Sequence, residues 1–555
     1  MVKWTFFVIL MSGSLIFASS ATAQETLFDP ENPAFDEPED IEEIEDIEER
    51  EPREVFVESP AFSSAGFLGR YSSALFVDTS FDGGGEDIVE LASELYLQLD
   101  YDISRQTRVF VSGRFTHWLG GKENPDQTNL LINAAGVRTH YEALLDEAYV
   151  RHRPGSWTLT VGNLRTPWGS TDIMRPGDVI NAADIRSTAG FAGGTGALVP
   201  QLTGMANYST SSWSLTALVV PFFVPNRVSA FGRDSSLANP RNPLIAEQMP
   251  VLLVLEQAID PSRHDDFQPV IQATRRPHDT PSGASAGLRA TTTVANTDLG
   301  LGGFYGWDRT PWMYMDEDMR ELLVLMVSDG QVLEDFDFMG FVRRNPEVLR
   351  ISGRLSSKAE AGEELFFSEY RRRATFLVDA ARYVGPIGVR ADVAFSPART
   401  FFTTDLQPER RSSVFAALGL SYEILDEDAP LAVIVEGFAL YPFARDSALN
   451  RFFVPEDQRG DDAELAIIGD GYYGVASAVM WGTPLWDLEL QVGGLYSISG
   501  EDWLGTAALT KPWQGWLRTT VGVAYFDGPD PADKLTLGGL YRHNDEVFFA
   551  IDGTF

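Results

Sequence analysis

The side chains with the clearest potential for chemistry lie between Val161 and Arg186, in the stretch VGNLRTPWGSTDIMRPGDVINAADIR. Basic and acidic residues are interspersed along it, and an amide lies near its end. A pore constriction that carries both signs of charge orients a polar solute and selects it by size. The alternative is that these charges only pin an inward-folded turn. The candidate constriction residues are Arg165, Asp172, Arg175, Asp178, Asn181, Asp184 and Arg186.

The local structure of this stretch is predicted to change partway along it. The first residues alternate as in a strand, and the alternation then stops. Trp168-Gly169, Pro176-Gly177 and residues 181–184 are rich in the residue types that form turns. We therefore expect an ordered insertion that is not a strand and that follows directly on a strand.

The order of residues in this stretch resembles a family of poorly characterised Gram-negative outer-membrane β-barrels. Members are often encoded beside RND-type exporters, and some are linked to hydrophobic cargo. In that family a strand with a Gly and a basic residue leads into Trp-Gly and then into an Asp-Val-Ile-Asn-x-x-Asp element. The matching residues here are Gly162, Arg165, Trp168, Gly169, Asp178, Val179, Ile180, Asn181 and Asp184.

This resemblance implies a transport-linked barrel, with Gly162, Trp168 and Gly169 as structural residues of the motif. It covers only this stretch of the chain and does not supply a substrate. The Pro that usually follows the Asn is Ala182 here, so the turn at that point can differ from the family's.

The last nine residues, Val547 to Phe555, have the pattern of a membrane-spanning strand. Every second residue is apolar or Gly, and the other register ends in Asp552 and Thr554. The strand resembles the C-terminal targeting strand of outer-membrane barrels, which pairs with the first strand and closes the ring. We predict that Phe549, Ile551 and Phe555 form the insertion signal read by the barrel-assembly machinery. The alternative is an edge strand of a soluble β-protein.

Similar alternation runs from about residue 65 to the end of the chain, for example from Leu91 to Tyr101 and from Trp486 to Ile498. Large aromatic residues stand at many strand ends, as membrane interfaces favour. A soluble sandwich would have shorter strands and fewer such aromatics. We predict an all-β fold, a transmembrane antiparallel β-barrel of roughly 16–18 strands, the size class that encloses a lumen.

Two insertions interrupt the strand pattern, at about Pro225 to His278 and about Met315 to Ser357. They are too long for periplasmic turns, so we place them outside the barrel or folded into its lumen. Each holds an apolar patch with the spacing of a short helix, around Leu252 in the first and Leu322 in the second. These helices would either line the pore or only pack their own loops.

The chain divides into three predicted regions. Residues 1–23 read as a secretory signal peptide, with Lys3 before an apolar run and Ala21-Thr22-Ala23 as the cleavage site. Residues 24–60 form an acidic leader, and residues 61–555 form the barrel. Self-repulsion among the leader's carboxylates predicts periplasmic disorder. The alternative is a tail that docks a periplasmic partner.

Composition excludes several functional classes. The net charge of −37 argues against nucleic acid as a partner, and the absence of Cys excludes disulfides and thiolate sites.

The sequence Gly283-Ala-Ser285-Ala-Gly287 matches a nucleophile elbow in letters, but an alternating strand follows it instead of a helix. The six His are scattered without metal-ligand spacing. We predict no enzymatic activity, no cofactor and no metal.

The sequence therefore predicts a channel or conduit in the cell outer membrane for small molecules, with hydrophobic or amphipathic cargo favoured by the resemblance. Its expected partners are outer-membrane lipid, the assembly machinery and a periplasmic or RND-type exporter component. The alternative is an outer-membrane anchor that docks a periplasmic partner through the acidic leader.

Overall fold

Eighteen antiparallel strands join edge to edge in a closed ring, within the 16–18 predicted. The computed structural model describes residues 65–78, 89–120, 139–184, 198–227, 274–275, 283–309, 312–328, 338–363, 365–403, 407–424, 429–459, 464–483, 485–530 and 534–555. The strands are β1 Ala65–Asp78, β2 Val89–Ser104, β3 Thr107–Gly120, β4 Thr139–His152, β5 Trp157–Leu164, β6 Ala182–Ala183, β7 Leu198–Val199, β8 Gln201–Ser209, β9 Trp213–Val220, β10 Thr274–Arg275, β11 Ser285–Val294, β12 Thr297–Trp307, β13 Trp312–Met315, β14 Phe366–Glu369, β15 Arg372–Val384, β16 Ile387–Phe402, β17 Pro408–Ile424, β18 Leu431–Pro442, β19 Tyr472–Thr483, β20 Leu488–Ser497, β21 Asp502–Gln514, β22 Leu517–Asp527 and β23 Glu546–Thr554. The helices are α1 Glu317–Ser328, α2 Phe338–Arg344, α3 Glu347–Glu360, α4 Ala448–Phe453 and α5 Leu537–Leu540.

The ring closes where β23 pairs with β1. Their register runs from Arg70 opposite Thr554 to Asp78 opposite Glu546. Phe555 extends the ladder by one residue, since it exchanges two backbone hydrogen bonds of 2.7 and 2.8 Å with Gly69. The predicted pairing of the last strand with the first is confirmed. Closure leaves the ring without an exposed strand edge.

The outer wall of the barrel is apolar. Val161, Leu301 and Leu418 are each more than half exposed, whereas the neighbouring inward residues Thr160 and Thr203 are fully buried. Phe549 and Ile551 lie on the same outward face. An exposed apolar surface of this extent is incompatible with water but matches the hydrocarbon of a bilayer.

Two girdles of exposed aromatic residues border this apolar belt, one at each end of the strands. The residues at one end are Tyr101, Trp157, Trp213, Tyr383, Tyr422, Trp486, Trp513 and Trp516. The residues at the other end are Tyr141, Tyr305, Tyr441, Tyr473, Trp503 and Tyr525. A closed β-barrel with an apolar belt and aromatic girdles spans the outer membrane. The protein is therefore an outer-membrane β-barrel.

The two ends of the barrel differ in the length of their connections. Two-residue turns join β2 to β3, β11 to β12, β15 to β16 and β21 to β22. The long connections, such as those from β5 to β8 and from β12 to β15, all leave the opposite end. Short turns are periplasmic and long loops extracellular in this class of barrel. The stretch that follows β5 therefore enters the lumen from the outer end.

The second predicted insertion contains α1, α2 and α3, as its apolar patch indicated. Arg354 and Lys358 of α3 form ion pairs with Asp318 of α1, at 2.7 Å for Lys358. These hydrogen bonds lower the pKa of Asp318 to about 2. The signal peptide, the acidic leader and most of the first insertion, including its apolar patch around Leu252, lie outside the described residues. Among the helices that are described, none is both long and apolar enough to cross a membrane.

Candidate functional site

The stretch after β5 crosses the lumen of the barrel. We call residues 165–184 the crossing segment. It leaves β5 and makes its main contacts with β15, β16 and β18. Around the ring, β5 is followed by β8, β9, β11, β12, β15, β16, β17 and β18. Since β18 is thus nearly opposite β5 in a ring of eighteen, the segment divides the lumen.

Two buried carboxylates on the far wall hold the crossing segment by its backbone. Asp392 of β16 accepts hydrogen bonds of 2.8 Å from both the Ser170 N–H and the Thr171 hydroxyl. Glu436 of β18 accepts 2.6 Å bonds from the N–H groups of Asp172 and Met174. Both carboxylates are fully buried. The wall therefore replaces water for the backbone of residues 170–174, which belong to no strand or helix.

A side-chain hydrogen bond and an ion pair also join the segment to the same wall. The Ser170 hydroxyl donates to Asp379 of β15 over 2.7 Å, and Asp379 also pairs with Arg289 of β11 at 2.7 Å. Asp172 pairs with Arg390 of β16. The crossing segment is thus bound to a belt of charged groups that runs around the inside of several strands.

Apolar contacts complete the attachment. Trp168 and Ile180 pack with Leu218, Phe304 and Leu377, which point inward from β9, β12 and β15. Further along, Ile173 and Met174 join a second buried cluster that includes inward aromatics of β17, β18 and β19. Burial of this apolar surface at about 25 cal/mol per Å² stabilises the crossing position.

Two of the predicted site residues, Arg165 and Asp184 at the ends of the segment, pair with residues outside it. Arg165 pairs with Asp146 and lies 3.4 Å from Glu147, both on β4. Asp184 lies 3.6 Å from Arg227. At both ends of the segment, the opposite charge therefore comes from outside it. Arg186 lies outside the described residues.

Asp178, Asn181 and Arg175 are the members of the predicted set that face a cavity. The Asn181 amide donates to Asp178 over 3.3 Å and accepts from the Thr166 N–H over 3.1 Å. The structure thus brings these three residues together. Their role as a constriction stays a prediction.

The three motif residues have clear structural positions. Gly162 has a φ of +151°, and a Cβ built on it would lie 2.1 Å from the Ala148 carbonyl oxygen. Gly169 has a φ of +117°, and its Cβ would lie 2.3 Å from an Asp392 carboxylate oxygen. The Trp168 ring lies against Gly287 of β11. The close approach of neighbouring atoms requires Gly at residues 162 and 169. Trp168 packs its ring against the barrel wall, next to Gly169.

We expect the substitution Gly162→Ala to destabilise the barrel by about 2 kcal/mol or more, because it adds backbone strain and a clash with β4. Gly204→Ala is the matched control on the neighbouring strand β8, since nothing lies within 4 Å of a Cβ there. The measurement is the temperature at which each variant loses heat-modifiable gel migration. Equal midpoints for the two variants would contradict the role of Gly162.

A cavity of about 40 Å³ lies on the outer side of the crossing segment. Its wall residues come from the outer ends of β15, β16 and β17 and from the residues after β12. The polar lining residues are Arg175, Asp178, Asn181, Asn226, Arg309, Arg373, Thr375, Ser396, Arg399 and Ser413. The cavity therefore lies between the outer end of the barrel and the part of the segment that Asp392 and Glu436 hold.

The charges around the cavity do not balance. Asp308 is buried beside the cavity, lies 3.2 Å from Arg373 and accepts a 2.9 Å bond from the Thr400 N–H. Burial, and next the charge of Arg373, lower the pKa of Arg309 to about 10. Burial raises the pKa of Asp178 to about 6, against the opposing effect of Arg175. The cavity thus has a surplus of positive charge within a strongly acidic protein.

Sequence reasoning missed the wall residues Asp379, Asp392 and Glu436 and the arginines Arg309 and Arg399. One signal was available, because Glu436 is the single charged residue of β18, LAVIVEGFALYP. A lone carboxylate in a strand that is otherwise apolar faces inward and needs a partner.

Ser285 is the first residue of β11 and is buried. A strand follows it directly, so the strand-to-helix turn of a nucleophile elbow is not formed there. Within the described ranges, no group of three or more His, Asp or Glu is arranged to hold a metal ion.

Neither a comparison with known protein families nor one with curated proteins finds a match for this chain. Solved structures of outer-membrane proteins do match. The outer membrane channel DcaP of Acinetobacter baumannii is 10% identical, with 90% of this chain and 99% of that chain covered and a TM-score of 0.36. OccAB1 of the same organism is 9% identical, with 89% and 96% covered and a TM-score of 0.41. OmpF of Salmonella typhi, in a complex with daunomycin, is 8% identical, with 88% and 97% covered and a TM-score of 0.36.

Proposed function

We propose that the protein is an outer-membrane channel for small polar solutes and that the crossing segment forms its constriction. The observation that carries this proposal is the attachment of the segment to Asp392 and Glu436, far around the ring from β5. A segment held across the lumen limits the size of a solute, and the charges beside it orient that solute.

The chemistry of the lumen favours polar, anionic solutes over the hydrophobic cargo that the family resemblance implied. Arginine, hydroxyl and amide groups line the cavity on the outer side of the segment. Linkage to an RND-type exporter stays a prediction that derives from the resemblance. The adaptor alternative depends on the acidic leader, which lies outside the described residues.

The proposal is tested by reconstituting the purified, folded protein into planar bilayers. We expect discrete current steps of uniform size, because each barrel adds one water-filled path. Heat-denatured protein at the same concentration is the control. Bilayers that contain the heat-modifiable, folded form and yet show no steps would exclude the channel function.

A further inference from the structure

The basic cavity beside the crossing segment has the properties of a built binding site. Arg309, Arg373 and Arg399 line it, and each is more than nine-tenths buried. Arg175 of the crossing segment approaches from the other side. Among the described residues of the lining, Asp178 is the one carboxylate, and Asp308 lies outside the lining, 3.2 Å from Arg373. Four guanidinium groups therefore face two carboxylates, and the excess positive charge is not balanced by the described residues around the cavity.

Several buried donors at this site have no acceptor in the described part of the chain. The Nε and Nη1 atoms of Arg309 and the Nε of Arg175 are buried without a hydrogen-bond partner. The remaining Nη2 of Arg309 donates to the Ile180 carbonyl and, over 3.0 Å, to the Gln201 amide oxygen. A buried guanidinium N–H without an acceptor is costly. An anion in the cavity would supply acceptors to these groups.

The remaining polar residues of the lining can donate hydrogen bonds to such an anion. Thr375, Ser396 and Ser413 provide hydroxyl groups, and Asn181 and Asn226 provide amides. One buried water needs about 10–15 Å³ of cavity volume. This cavity has about 40 Å³. The space thus suits a head group of three or four heavy atoms, and the rest of a larger solute would extend into the lumen.

We propose that this cavity binds an oxyanion head group, the carboxylate or phosphate of a small solute, through the guanidinium groups of Arg309, Arg399 and Arg175. Guanidinium groups bind both kinds of oxyanion with paired, charge-assisted hydrogen bonds. As the substrate class of a channel, this inference rests on the proposed function. As a binding site, it stands on the cavity alone.

The test measures thermal unfolding of the full-length protein in detergent with inorganic phosphate, with acetate, or with sodium chloride at equal ionic strength. We expect phosphate or acetate at tenfold its dissociation constant to raise the unfolding midpoint by roughly 1–2 °C above the chloride value. A shift with acetate identifies a carboxylate site, a shift with phosphate a phosphate site, and shifts with both a site for either head group.

The variants separate binding from folding. R399Q is expected to remove the shift, and R399K to retain only part of it, because an ammonium cannot form the paired bonds. R153Q removes the same charge from an exposed turn at the periplasmic end and should retain the full shift. If R399Q folds with heat-modifiable migration and keeps the full shift, or if the unsubstituted protein has none, the proposal is wrong.

A bilayer measurement distinguishes the site from the channel function. Phosphate or acetate added on the side of the long loops should lower the chloride current of the unsubstituted protein by about twofold or more, and that of R399Q less. Current steps without any midpoint shift would overturn the binding site and leave the channel intact. A midpoint shift without current steps would overturn the channel function and leave the binding site intact.

Discussion

The double variant D392N/E436Q is expected to pass a single-channel current several times that of the unsubstituted protein. The two carboxylates accept four short hydrogen bonds from the crossing segment, three of them from backbone N–H groups. Each substitution keeps the side-chain shape but replaces one acceptor oxygen with an NH₂ group that faces a donor. The segment then loses its hold on the far wall, and the lumen widens.

The magnitude follows from the cost of buried donors without acceptors. Each costs about 1–3 kcal/mol, so the two donors that the double variant leaves facing an NH₂ group together correspond to on the order of 4 kcal/mol. That is large enough to shift the segment from a single attached position to a mobile one. We expect noisy, larger current steps and weaker ion selectivity, recorded in planar bilayers at several hundred millimolar salt.

E423Q is the matched control for this experiment. Glu423 of β17 is partly buried on the lumen side, and one of its carboxylate oxygens has no hydrogen-bond partner. Its substitution removes a similar charge near Arg390 and leaves the four hydrogen bonds from the segment to Asp392 and Glu436 in place. If D392N/E436Q folds normally and conducts like E423Q, the segment does not set the size of the path.

The fold was predictable because its determinants are local. The alternation that ends in Phe549, Ile551 and Phe555 is a property of nine consecutive residues, and it sets which face meets lipid. The closure of the ring followed from the need to pair every strand edge. The helix around Leu322 was likewise visible in its own spacing, and the structure has α1 there.

The site was less predictable because its contacts are distant in the chain. Ser170 and Asp392 are separated by 222 residues, and Asp172 and Glu436 by 264. Nothing in the crossing segment identifies which of the many inward positions of the barrel will accept its N–H groups. The sequence marked the segment as unusual, but its charges pair with partners that only the ring topology brings near.

The basic cavity illustrates the same limit. Arg309, Arg373 and Arg399 come from three separate parts of the chain, after β12, in β15 and in β16. Their neighbours in the sequence form no motif that identifies an anion site. Only their convergence on Arg175 and Asp178 produces the excess of positive charge. A cluster of this kind depends on strand register, which a pattern of alternation does not specify beyond the choice of face.

Anion selectivity is expected to rise as the pH falls from 7 to 5, because Asp178 becomes protonated. Burial raises the pKa of this carboxyl group to about 6. The groups that face it are Arg175, Arg309 and Asn181. Since protonation neutralises the carboxylate of Asp178, the cavity gains one unit of net positive charge and attracts anions more strongly.

The raised pKa of Asp178 also determines whether the barrel becomes more or less stable as the pH falls. A carboxyl group whose pKa is raised in the folded protein favours folding while it is protonated. That contribution is present below the ordinary value near 4 and is lost as the pH rises through 6. Between pH 4 and 6, Asp178 therefore makes the barrel more stable as the pH falls, in the same range in which selectivity changes.

The variant D178N separates Asp178 from every other titrating group. Its neutral amide imitates the protonated acid, so we expect high anion selectivity at pH 7 and little change down to pH 5. D184N, which removes a carboxylate of the same segment that pairs with Arg227, should keep the pH response of the unsubstituted protein. The measurement is the reversal potential under a potassium chloride gradient at each pH. A pH response of D178N equal to that of D184N would assign the titration to another group and leave Asp178 as a structural residue of the turn.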